Sequence, residues 1–85
     1  MVTIDSRFVA PQVWRIDATL RFGQGLAPQP GDELYDRGRV ALVEAIVREG
    51  IRGRALGATT FRARLDASGT IQEFDLGSTL ADFAS

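Results

Sequence analysis

From Trp14 to Phe22 the chain alternates strictly: Trp14, Ile16, Ala18, Leu20 and Phe22 are apolar, with Arg15, Asp17, Thr19 and Arg21 between them. Successive side chains of a strand point to opposite faces, so this segment predicts a strand with one buried face. Ala58–Asp66 alternates again, placing Thr59, Phe61, Ala63 and Leu65 on one side and Thr60, Arg62, Arg64 and Asp66 on the other. Asp66-Ala67-Ser68-Gly69 has Asp first and Gly fourth, the chemistry of a type I turn, and Thr70–Leu76 forms the returning arm of a hairpin. With that turn Leu65 opposes Ile71, and Ile71 and Phe74 then lie out of phase. One extra residue bulged near Gln72-Glu73 restores Ala63 opposite Phe74 and Phe61 opposite Leu76. Val2–Ala10 predicts a short edge strand ending at Pro11. Ser78–Phe83 is long enough only for a capped helical turn, with Leu80 and Phe83 against the core.

Asp32–Glu49 predicts a helix. Pro30 and Gly31 lead into it, Asp32 is the expected N-cap, and Glu33 and Asp36 set negative charge near the positive end of the dipole. Arg48 lies in the last turn, and Gly50 followed by Ile51 suits a left-handed C-cap with an apolar clasp. At about 100° per residue this helix is apolar on two sides. Leu34, Gly38, Ala41, Leu42, Ala45 and Ile46 form a broad face with small residues where a sheet can approach. Val40, Val43 and Val47 form a second ridge, and Glu33, Arg37, Glu44 and Arg48 a charged border with two i, i+4 pairs. An outer helix of a small domain needs one apolar stripe, so the second ridge needs a cover of its own.

The element order is therefore (β)-β-α-β-β. It predicts one α+β domain over residues 1–85: a small antiparallel sheet of three to four strands with one long helix packed on one face.

Composition narrows the chemistry. The chain has no Cys, His, Lys or Asn, and its ten basic residues, all Arg, balance eleven acidic ones to a net charge of −1. No disulfide, thiolate nucleophile, imidazole base, Schiff base or Lys-containing P-loop can be built from it. No cofactor or metal site is expected. The arginines are spread among acids, a pattern that matches GC-rich coding bias better than selection for anion contacts. The near-neutral balance, with no aromatic side chain expected on the polar sheet face, argues against nucleic-acid binding. A start that is neither basic nor followed by a long apolar run, and a longest aliphatic run of Val40-Ala41-Leu42-Val43, predict a cytoplasmic protein without a membrane partner.

Few groups suggest a site. Gly23-x-Gly25 lies between strand and helix, but the third glycine of a dinucleotide fingerprint would fall on Pro28, so it reads as a loop. Arg48, Arg52 and Arg54, interleaved with Gly50, Gly53 and Gly57, are the candidate anion-binding cluster if the helix gives way to a loop there. Tyr35, Asp36, Arg37 and Glu44 resemble a catalytic set in type only, because helical spacing points them apart. Trp14 is expected in the core, with the wall of a ligand pocket as its other role. These readings favour a small non-catalytic interaction module, homo-oligomeric or an accessory subunit of a larger assembly, with Val40, Val43 and Val47 as the partner interface. The alternatives are a small-ligand regulatory or carrier module with a pocket between subunits, and a small isomerase or cyclase using a carboxylate and an arginine.

Overall fold

A computed structural model describes residues 1–23, 28–67 and 70–77. Two strands, β1 (Val2–Ala10) and β2 (Val13–Leu20), precede a helix, α1 (Glu33–Ala55), and two more, β3 (Thr60–Ala67) and β4 (Thr70–Asp75), follow it. The sheet order is β1-β2-β3-β4. The α+β class, the order of elements and the helix on one face are those the sequence predicts. The sheet is mixed, not wholly antiparallel: β2 and β3 run parallel, Trp14 beside Phe61 and Ile16 beside Ala63, while the two outer pairs are antiparallel. A strand–helix–strand unit brings its two strands parallel because the helix carries the chain back to the start of the sheet.

β1 has the bounds and the edge position expected of it and pairs with β2 through a hairpin at Pro11-Gln12, with an irregularity between Phe8 and Ala10. Gln12 has φ +64°, and its carbonyl accepts the N–H groups of Thr59 and Thr60 at 2.9 and 3.0 Å. One turn thus ties the hairpin to the start of β3. The β3–β4 register is continuous from Ala67–Thr70 to Arg62–Asp75, so the expected bulge at Gln72-Glu73 is absent. Ala63 does oppose Phe74, and the Leu76 N–H donates to the Phe61 carbonyl at 2.9 Å. The difference lies next to the turn, where Leu65 faces Gln72 and Ile71 turns to the outer surface at 53% exposure. Ser68, Gly69 and the segment Ser78–Phe83 lie outside the described residues.

The helix begins where predicted. Asp32 holds the N-cap position in extended conformation, but its carboxylate accepts the Gln29 N–H at 2.8 Å instead of capping the first turn. At the other end the prediction falls six residues short. Gly50 does not stop the helix; it is buried within it, and the stop is Gly57 at φ +104°. The Gly57 N–H donates to Arg54 and the Ala58 N–H to Gly53, a Schellman closure.

Two glycines set how closely α1 lies on the sheet. A Cβ at Gly53 would stand 2.5 Å from the Trp14 indole, and one at Gly38 3.1 Å from Leu20 and Phe22. Fifteen helical residues rise about 22 Å and six strand residues about 20 Å, so these glycines seat α1 antiparallel along β2 from Leu20 to Trp14. The core is Trp14, Ile16, Ala18 and Leu20 of β2 against Leu42, Ile46 and Val47 of α1, closed by Ala58, Phe61, Ala63 and Leu76. The helix packs best on β2, next on β1 and only lightly on β3. The inner faces of Leu65, Gln72 and Phe74 therefore lie beyond its cover.

Candidate functional site

Three surfaces result from this geometry. The first is the outer face of the sheet, where the alternation of β2 and β3 sends every charge to one side. Asp17 receives Arg7 and Arg15, both at 3.2 Å; Arg15 reaches Glu73 at 3.2 Å; Arg21 reaches Asp66 at 2.8 Å. These pairs cross all four strands, as alternating signs on neighbouring strands predict. The hydrogen bond that Arg15 donates to Glu73, then the charge of Asp17, hold its guanidinium above the ordinary range, and the hydrogen bond that Arg21 donates to Asp66 does the same for Arg21. Arg62 and Asp75, opposite each other in the β3–β4 register, are the exceptions, with no ion-pair partner among the described residues.

The second surface is the outer flank of α1. Val40 and Val43 stand exposed at 57% and 42%, while Val47 is buried at 7%. The predicted three-valine ridge is thus two exposed valines, with Val47 in the core. One turn on, Ile51 continues the strip at 54% exposure. Ile51 was expected as a clasp beyond the helix end; within a continuous helix it follows Val43 and Val47 at i+8 and i+4. Shallow hollows flank the strip, one lined by Asp36, Arg39, Val40, Val43 and Glu44, another by Val43, Glu44, Val47, Arg48 and Ile51.

Continuing the helix also disperses the candidate anion cluster. Arg52 and Arg48 lie about 40° apart around the axis, but Arg54 lies about 160° from Arg52 and about 120° from Arg48. Arg52 lies over Trp14 at 5.8 Å and pairs with Glu49 at 3.2 Å, so its charge is already engaged. Arg48 and Arg54 have no ion-pair partner among the described residues. The three guanidinium groups do not converge on one anion.

The third surface, missed in the sequence, is a cleft of about 420 Å³ between α1 and the uncovered halves of β3 and β4. Leu20, Leu42, Val43, Leu65 and Phe74 give it apolar walls, and Tyr35, Arg39 and Gln72 stand among them. Arg39 has no ion-pair partner among the described residues. Trp14 does not line the cleft: it is 3% exposed, with Phe8 edge-on at 4.9 Å and Gly53 behind it. Phe22 stacks on Tyr35 at 6.1 Å. Of the set resembling catalytic residues, Tyr35 borders the cleft, Asp36 and Glu44 the flank, and Arg37 pairs with Glu33.

Among the described residues no three acidic side chains gather as metal ligands, and no helix is long and apolar enough to cross a membrane. Comparison of the chain with protein-family models, curated proteins and solved structures returned no match.

Proposed function

We propose that this chain is a small non-catalytic interaction module that docks through the outer flank of α1. The supporting observation is the strip Val40, Val43 and Ile51, each about half exposed and bordering the helix face that fills the core. Contiguous apolar surface that a chain leaves in water is an association surface by default. The partner is a second copy or a larger protein. The decisive experiment is sedimentation velocity of the full chain at about 100 µM, alone and with each product of the genes beside its own. Val43→Asp should abolish whatever association is seen. Because Val43 keeps 42% of its surface in water and also borders the cleft, the same substitution should cost about 1 kcal/mol of folding stability, and urea denaturation checks that the variant stays folded. No association under any of these conditions, or association untouched by Val43→Asp, rejects the reading.

The cleft favours a second reading, a small-ligand carrier. An unpaired guanidinium above apolar walls suits a carboxylate with an apolar body. Octanoate or benzoate at about 1 mM should then raise the melting temperature, and Arg39→Gln should remove the effect. An unchanged melting temperature across such acids excludes it.

A further inference from the structure

We infer that the occupant of the α1 flank is the same flank of a second copy, running antiparallel; this rests on the docking reading above. Along the 23 residues of α1, one stripe reads Glu33, Asp36, Val40, Val43, Val47, Gly50, Arg54, at alternating spacings of three and four. Its ends carry opposite charge: acidic residues in the first turn, Arg54 in the last. A parallel pair would set like charge on like charge at both ends. An antiparallel pair sets Asp36 of each copy against Arg54 of the other and opposes the two dipoles. Neither Asp36 nor Arg54 has a side-chain ion pair within its own chain among the described residues. In this register Val43 of one copy lies over Val47 of the other. Val47 floors the hollow of about 290 Å³ that Val43, Glu44, Arg48 and Ile51 surround, so the buried valine is the bottom of a hole and the exposed one its knob.

Size sets the expected strength. A strip about 34 Å long and about 10 Å wide covers about 340 Å² on each copy, about 700 Å² in total, below the roughly 1,000 Å² of a stable specific interface. The pair should therefore be weak and reversible, dissociating at about 100 µM or above.

Because the chain contains no cysteine, cross-linking reads the orientation directly. Sedimentation equilibrium of the wild type from about 10 µM to about 1 mM should show monomer and dimer. Under mild oxidation an equimolar mixture of Asp36→Cys and Arg54→Cys should give disulfide-linked dimer, whereas each variant alone should give at least about tenfold less, positions 36 and 54 being about 27 Å apart along one helix. Both substitutions are on the exposed helix surface, so the variants should fold, which circular dichroism checks. A wild type that stays monomeric to about 1 mM overturns the self-pairing and leaves docking to another protein standing. A dimer lost in Val43→Asp, but cross-linked equally well by each variant alone or by neither, overturns the antiparallel arrangement and keeps the flank. A dimer indifferent to Val43→Asp rejects the flank itself.

Discussion

Gly53 shows how one residue can hold two elements in register. Its missing side chain is filled by the face of Trp14, and three indole atoms would stand 2.5–2.7 Å from a Cβ there. No rotamer change removes a rigid ring from that position, so Gly53→Ala must lift the C-terminal half of α1 off β2. The expected cost is about 1–3 kcal/mol despite the better helix propensity of alanine. Gly38 provides the contrast: its added methyl would meet the flexible end of Leu20 and the edge of Phe22 at 3.1 Å. There a gain of about 1 kcal/mol in propensity largely offsets the crowding, and Gly38→Ala should be close to neutral. Urea denaturation of both variants checks the contrast, and equal costs would contradict the seating of α1 by these two contacts. From the sequence alone both glycines read as small residues on a helix or just past its end; what they touch depends on how the helix lies.

At the level of elements, the strands and the helix start were legible because alternation and turn chemistry are local. What was not legible depended on tertiary contact. Gly50 followed by Ile51 has the chemistry of a helix stop, but Gly50 is buried in the helix and the left-handed residue comes at Gly57. The misplaced stop hid Ile51 from the exposed apolar strip and turned Arg48, Arg52 and Arg54 into an apparent loop cluster. Similarly, alternation showed that β4 has an inner and an outer face but not its register. The sheet accepts Ile71 outside and Gln72 inside, and keeps an unbroken ladder. The ion pairs of the outer face were legible in sign, and their pH response follows from the arginines. For a base whose folded pKa is raised, the stabilisation is fully present below its unfolded value and disappears only as pH climbs through the folded one. For Arg15 and Arg21, both raised, that window lies above the ordinary range of a guanidinium. With no His or Cys in the chain, the melting temperature should stay level, within about 2 °C, from about pH 7 to about pH 9. A larger fall would show that another group is coupled to folding.

Across the whole molecule, the helix is narrower than the sheet and sits off centre over β1 and β2. The consequence is a graded stability from one edge to the other. Ile16 and Leu42 are fully buried where helix and sheet meet, and truncating either to alanine should cost about 2–5 kcal/mol. Phe74, on the inner face of β4, keeps 39% of its surface in water and looks into the cleft, so Phe74→Ser should cost less than half as much. β4 is also an edge strand of six residues whose backbone ladder, among the described residues, is with β3 alone. Local opening needs little apolar surface to be exposed in such a strand. Its hydrogen-bonded amides should therefore exchange at least about tenfold faster than those of β2, a difference of about 1.4 kcal/mol in opening free energy. Hydrogen exchange read residue by residue by NMR decides this, at protein concentrations low enough to keep any dimer dissociated. If β4 and β2 exchange together at the global rate, the sheet opens as one unit and the uncovered half carries more stability than its packing provides. If β4 opens first, a molecule bound in the cleft should slow its exchange while leaving β2 unchanged, whereas a partner docked at the opposite border of Val43 should protect neither strand. Exchange rates thus separate occupancy of the cleft from occupancy of the flank without any substitution.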